Sequence, residues 1–505
     1  MIEITGANLK LLSCLRVASM GEPVVLHESA RKKMRESRDF ILDMVDSGER
    51  VYGVTTGFGR LAEILVPEDD RENLQRNLIR SHSSGVGDPM SATQVRIIML
   101  LRVNSLARGH SGCREKVADL LIEFLNIGVH PIVPRYGSVG ASGDLAPLAH
   151  IGLALIGEGD VEYQGKIRPA LEVMSEVGLL PLGLREKEGL ALINGTQATT
   201  GLGILAFLES KDALDTAEVA GSMSLEALKG TPDPFMEEVQ SARPHPGQIE
   251  SASRLRRLLE NSEIRESHRE NDSRVQDPYC LRCMPQVHGA TRNIMKYVAD
   301  VLSVEANSTT DNPLVFIEAK SIVSAGNFHA QIVSQALDFL CIALTDLAAI
   351  SERRIERMIN PDVSGLPAFL ATNPGLESGF MIVHVTAVDL LSEMRVLSHP
   401  ASVDSVPTSA GQEDHVSMGL ASARKLSRVV DCLQYILAIE LLVAAEGIEH
   451  HRPMKAGRGV EKAYDVVRDY AESLSGDRTY SSDIEGLKEA VKNGRFSAIL
   501  KHNEI

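Results

Sequence analysis

The chain has no apolar run of bilayer length, no block of basic residues and no cysteine framework, and each absence removes a class of protein. Its most apolar stretch, LQYILAIELLVAA (433–445), is broken by Gln434 and Glu440 and falls short of the roughly 18–20 residues that a membrane helix needs. No membrane role is expected. At the N-terminus, MIEITGANLKLLSCLRVAS carries a short apolar patch that Glu3, Lys10 and Arg16 flank or interrupt, which is not the pattern of a secretory signal. Lysine and arginine number 52 against 68 acidic residues, a net charge of −16, and nowhere gather densely enough to track a phosphate backbone. Nucleic acid is therefore excluded as a partner. The six cysteines, Cys14, Cys113, Cys280, Cys283, Cys341 and Cys432, are scattered as free thiols in a reducing compartment would be, and the expected location is cytoplasmic. Only Cys280 and Cys283 have metal-type spacing, with no second pair to complete a site. His450 and His451 after Glu449 lack the His-Glu-x-x-His order, so no metal is expected.

What is present in quantity is helical periodicity. Within 333–358, Val333, Leu337, Leu340, Leu344 and Leu347 recur at three-to-four residue spacing, and Ile355 and Met358 resume the pattern. Further such segments run from Gly379 to Leu397 and from Met418 to about Ala445. Helices this long, apolar on more than one face, need other helices to cover them, which predicts a mainly α fold built as a bundle with extensive subunit contact. The first 200 residues are more mixed, with helical patterns at 30–48, 91–108 and 114–127 between glycine-rich turns and no strand–helix alternation. The expected organisation is an N-terminal part over 1–200 and a long-helix bundle with C-terminal helices over 201–505, forming one continuous catalytic unit. The charged strings NSEIRESHREND (261–272) and SERRIERM (351–358) read as solvated loop and helix faces. TTGFGRLA (55–62) has the letters of a dinucleotide fingerprint but no strand before it and, near the required offset, the basic LIRSH instead of an acid.

The densest cluster of small residues is GSVGASGDLAPLAH (137–150). It is not a nucleophile elbow, because around Ser142 the second glycine falls one place early. Nor is it a phosphate loop, since Asp144 follows where a lysine would be needed. Alone, it reads as a glycine-rich turn with Asp144 capping the next helix.

Five other stretches change that reading: VYGVTTGFG (51–59), RSHSSGVG (80–87), INGTQ (193–197), QDPYCLRCMPQVHG (276–289) and QEDHVSMG (412–419). In this order, and together with EANSTTDNPLVF (305–316), GNFHA (326–330) and HPASVDSVPTSA (399–410), the chain resembles the aromatic amino acid ammonia-lyase and aminomutase family over nearly its whole length. The resemblance is strongest to the histidine-specific branch. It implies a mainly α subunit of the aspartase/fumarase-like type with a smaller mixed N-terminal part, in a homotetramer whose active sites are built from several subunits. It also implies that Ala141, Ser142 and Gly143 cyclise, with loss of two waters, into an electrophilic 4-methylidene-imidazol-5-one cofactor. Ring closure presses a backbone nitrogen onto a carbonyl two residues earlier, a compressed turn that bulky side chains would block.

The same resemblance implies catalytic roles for Tyr52, Asn194, Tyr279 and Glu413. Tyr52 matches the base that takes the β-proton, Asn194 the amide that bonds the cofactor ring oxygen, and Tyr279 a wall of the site. Arg282 matches the guanidinium that pairs with the substrate carboxylate, His82 the reader of the substrate side chain, and Phe328 a packing surface for its ring. Glu413 stands where phenylalanine lyases tend to have glutamine, and a carboxylate accepts an imidazole N–H. The expected small-molecule substrate is L-histidine, with trans-urocanate and ammonia as products. The chain departs from bacterial histidine lyases at Gln331, where glutamate is common, and at Met394 and Arg395, where Asn-Lys is common. Tyrosine ammonia-lyase or 2,3-aminomutase activity is the alternative within the same chemistry, and a catalytically silent helical scaffold the alternative outside it.

Overall fold

The computed structural model describes residues 1–47, 50–57, 63–270, 272 and 274–501. The end of the fingerprint-like stretch (58–62) and the ends of VYGVTTGFG, Phe58 and Gly59, lie outside them. The described chain is mainly helical and divides into two compact units, one comprising Met1–Leu205, Ala299–Asp338 and Pro400–Arg424, the other Ala206–Val298, Phe339–His399 and Lys425–Ile505. Several of the cuts fall inside long helices, so neither unit is a continuous stretch of sequence.

In the first unit the helix Ala92–Leu106 is the core: every residue from Val95 onward is buried, and its start is fixed by a capping box between Ser91 and Gln94. Leu11–Met20 and Glu115–Ile127 pack against it. Leu145–Leu155 packs against both Arg71–His82 and Glu188–Ile193, which brings the segments ending at His82, starting after Asp144 and ending before Asn194 into one layer. The strands are short. Ile2–Ile4 runs parallel to Val24–Leu26, Val86–Pro89 pairs antiparallel with Pro134–Tyr136, and His130–Pro131, Asp160–Tyr163 and Lys166–Pro169 form a three-stranded antiparallel meander. Leu314–Phe316 and Ser321–Val323 make a hairpin.

The three long periodic segments are helices Gln331–Ile359, Met381–Leu397 and Gly419–Glu449, and Gln197–Ala227 adds a fourth. Gln331–Ile359 is long and apolar enough to cross a bilayer, but 67% of its most apolar window is buried in the protein, as in a core helix. Met381–Leu397 is two-sided: Val383, Ala387, Leu391 and Met394 are buried at helical spacing, while Met381, Ile382, Val385, Val388 and Val396 are exposed.

One expectation is corrected in the second unit. SERRIERM is not a solvated face: Ser351, Glu352 and Arg354 are buried, and Arg354 forms a two-pronged ion pair with the equally buried Glu440. Glu440 also accepts from Ser224 at 2.7 Å and from Ser351, so all four groups are satisfied without water. The string 261–272 contains the short helix Glu263–Glu266, with Ser262 and Ile264 buried. Its charged members Glu263, Glu266, Arg269 and Glu270 are exposed, as expected of a solvated face, whereas SERRIERM hides Arg354, whose partner Glu440 lies 86 residues away.

Candidate active site

The loop at 137–144 is held in a conformation that few residues adopt. Gly140, Ser142 and Gly143 have φ of +75°, +55° and +82°, so a serine sits in the left-handed region between two tight neighbours. A Cβ on Gly143 would lie 2.4 Å from Gly195 O, and the two glycines form a β-bridge that Asp144 N–H extends by donating to Gly195 O at 2.7 Å. Only glycine permits that approach. On the other side, Met418 N–H donates to Val139 O at 2.9 Å.

Asp144 occupies the N-cap position of Leu145–Leu155 but its side chain does not cap that helix, contrary to the sequence expectation. Its carboxylate instead accepts from Thr199 N–H at 2.7 Å, Thr199 Oγ1 at 2.9 Å and Ser138 Oγ at 3.0 Å. Burial pushes its pKa up, and those hydrogen bonds oppose the rise. The aspartate thus ties the glycine loop to the first turn of Gln197–Ala227. Three helix starts meet here: a Cβ on Gly419 would lie 2.8 Å from Thr199 and 3.2 Å from Ala330, the residue before Gln331–Ile359. Helix N-termini carry partial positive charge, so the loop sits in a positive local field.

Asn194 follows the last turn of Glu188–Ile193, and its Nδ2 donates to Ser142 O at 2.9 Å. Its Oδ1 is buried with no partner among the described residues. The backbone is pinned from behind by Arg102, whose Nη1 donates to Asn194 O at 2.8 Å and to Gln197 Oε1 at 2.9 Å. Beneath it Lys187 and Asp311, both fully buried, pair at 2.9 Å. Sequence reasoning missed Arg102 and Lys187, since nothing local distinguishes them from surface charges, and gave no role to Asp311 within EANSTTDNPLVF.

His82 ends the helix Arg71–His82. Its Nδ1 lies 2.9 Å from Leu78 O, an acceptor, so Nδ1 carries the proton and Nε2 offers a lone pair. Burial lowers its pKa, partly opposed by the Leu78 carbonyl and by Glu413, so the ring is neutral near pH 7. Glu413 lies in a tight turn and accepts from Ser142 Oγ at 3.0 Å through Oε1 and from Thr408 Oγ1 at 2.8 Å through Oε2. Tyr52, His82, Ser142, Asn194 and Glu413 line one cavity of about 390 Å³. Tyr52, Ala141, Ser142, Phe328 and Glu413 line a second of about 410 Å³. The first unit therefore gathers eight of the ten sequence-selected residues around Ser142, counting Gly143. The remaining two, Tyr279 and Arg282, belong to the second unit, where the guanidinium stacks over the ring at 4.7 Å and Tyr279 is 71% exposed. Gln331, one of the departures, donates through Nε2 to Ser402 O at 3.2 Å.

A strained serine turn, an amide on its carbonyl and a cavity walled by a phenol, an imidazole and a carboxylate agree with a match to the aromatic amino acid lyase family over residues 9–469. The chain belongs to that family. It is 50% identical to the histidine ammonia-lyase of Myxococcus xanthus over 501 residues, covering 99% of this chain and 98% of that one. Among solved structures, histidine ammonia-lyase from Trypanosoma cruzi superposes with a TM-score of 0.92 at 41% identity, covering 99% of this chain and 95% of that one. Tyrosine aminomutase from Streptomyces globisporus gives 0.94 at 37% identity, covering 100% and 99%. Aromatic amino acid lyases and aminomutases share this helical architecture, and as a group they generally depend on the methylidene-imidazolone.

Proposed function

We propose that this chain is a cytoplasmic histidine ammonia-lyase that eliminates ammonia from L-histidine to give trans-urocanate. The observation that carries the proposal is the Ser142 turn, with its carbonyl on Asn194, its hydroxyl on Glu413, and Tyr52 and His82 on the wall of the same cavity.

The residues present fit a 4-methylidene-imidazol-5-one made from Ala141, Ser142 and Gly143. The left-handed turn is compressed, Gly143 presents bare backbone, and Asn194 already donates to the carbonyl that would remain on the ring. That group supplies an electron-poor carbon that takes up the substrate and makes its amine a better leaving group. The rest falls to side chains. Tyr52, which lines the same cavity as Ser142, takes the β-proton. Asn194 Nδ2 stabilises negative charge on the Ser142 oxygen. His82 Nε2 and Glu413 present two acceptors to the substrate side chain. A protonated imidazole has two N–H donors to meet them, whereas a phenol has one proton to give. Phe328 packs against the ring. Arg282, with Tyr279 beside it, takes the substrate carboxylate in a site shared among subunits of a homotetramer. The exposure of Tyr279 and the apolar outer face of Met381–Leu397 support such an assembly.

The test is incubation of purified protein with L-histidine or L-tyrosine while following urocanate or coumarate absorbance. Histidine turnover should exceed tyrosine turnover by about a hundredfold or more, the scale set by buried polar groups left unpaired with the wrong substrate. Turnover of tyrosine alone would reassign the chain to a tyrosine lyase or 2,3-aminomutase.

A further inference from the structure

We infer that Glu413 has a second task, in making the electrophile: it drives departure of the Ser142 hydroxyl during maturation. The inference rests on the self-processing of Ala141 to Gly143 proposed above. In the unprocessed chain the hydroxyl that must leave already touches this carboxyl, Ser142 Oγ donating to Glu413 Oε1 at 3.0 Å.

The contact is built. Glu413 Oε2 is held by Thr408 Oγ1 at 2.8 Å, and the two residues exchange backbone hydrogen bonds, Thr408 N–H to Glu413 O at 2.8 Å and Glu413 N–H to Thr408 O at 3.3 Å. The turn between them includes Ser409 and Ala410 at φ of +51° and +53°, conformations that non-glycine residues keep only where their surroundings impose them. With one oxygen fixed by Thr408, the other is aimed at Oγ. Thr408 is thus a positioning residue for the carboxyl.

A hydroxyl leaves readily only if it is protonated as it goes. Glu413, an acceptor on both oxygens at rest, takes a proton from solvent on Oε1 and passes it to Oγ, the Cβ–Oγ bond breaks, and its electron pair departs with the oxygen as water. Ser142 Cα gives its proton to solvent and the freed pair becomes the Cα=Cβ bond, leaving Glu413 as the carboxylate. One water is lost, with no oxidant or reductant. Departure of the hydroxyl also releases Oε1, which then faces the cavity as an acceptor. One carboxyl therefore serves maturation first and substrate recognition afterwards.

The test is cell-free synthesis of the full chain with intact mass followed over time, for wild type, Glu413→Gln, Thr408→Val and Thr408→Ser. Wild type should become lighter by two waters. Glu413→Gln, unable to transfer a proton, should reach that mass at least tenfold more slowly, general-acid help being typically about 10²–10⁴-fold. Thr408→Val should also lag, while Thr408→Ser, which keeps the hydroxyl, should mature as wild type does. If Glu413→Gln fails to assemble, the contrast between the two Thr408 variants decides, and equal rates for them would overturn the inference. Glu413→Gln maturing within tenfold of wild type would overturn it directly. A wild-type chain that stays at full mass would instead remove the self-processing on which it rests.

Discussion

Glu226 gives the fold a pH dependence that is separate from the chemistry. Its carboxylate is 2% exposed and accepts from Ser262 Oγ at 2.8 Å and Gly457 N–H at 2.9 Å, yet burial raises its pKa from an ordinary 4.5 to about 7. Because the folded state holds this proton more tightly than the unfolded chain, the group's contribution is most favourable below 4.5 and is lost as pH rises to about 7. The loss is on the order of 3 kcal/mol at about 1.4 kcal/mol per unit. Glu226→Gln should therefore narrow the difference in melting temperature between about pH 5 and about pH 8, chiefly by raising the value at the higher pH. An unchanged difference would show that the carboxyl is not protonated in the fold. Legibility at this scale followed contiguity. Ser142, Asn194, His82 and Glu413 were readable because each lies in a short motif, whereas Thr199, Arg102 and Lys187 matter through partners 55, 92 and 124 residues away. Asp144 has the position of a cap, but its hydrogen bonds lead to another helix, a distinction that local sequence does not carry.

Elements were legible wherever a period ran long enough. The segments predicted from Gly379, Val333 and Met418 are the helices Met381–Leu397, Gln331–Ile359 and Gly419–Glu449, because an apolar stripe repeating over several turns has no other regular solution. The failure at SERRIERM came from treating charge as a sign of solvent. Arg354 is paid for by Glu440, a residue that the sequence shows only as an interruption in an apolar run. Removing one partner should leave a buried charge alone: Arg354→Ala is expected to destabilise the protein by about 3–5 kcal/mol, measured by denaturant unfolding. The double variant Arg354→Met with Glu440→Leu should recover most of that loss. A double variant as unstable as the single one would mean that the ion pair, not its desolvation balance, supports the helices.

At the scale of the whole molecule, sequence periodicity indicated that helices needed partners but not which faces would find them within one chain. Met381–Leu397 shows the remainder, with Val385 and Val388 exposed at 53% and 41%. In the proposed tetramer this face is covered. Val385→Glu with Val388→Glu should shift sedimentation from tetramer toward smaller species while far-UV circular dichroism keeps its helical signal, and activity should fall with the assembly, since the proposed function puts Arg282 and Tyr279 in sites shared between subunits. A fully active double variant of unchanged size would place the interface elsewhere.

The most direct measurement is the intact mass of purified protein that is turning over histidine. The account predicts a chain lighter than its translation by two waters, and a Ser142→Ala variant, folded and of the same assembly size, that lacks the serine-derived water loss and is inactive. Active protein at full translated mass would contradict it.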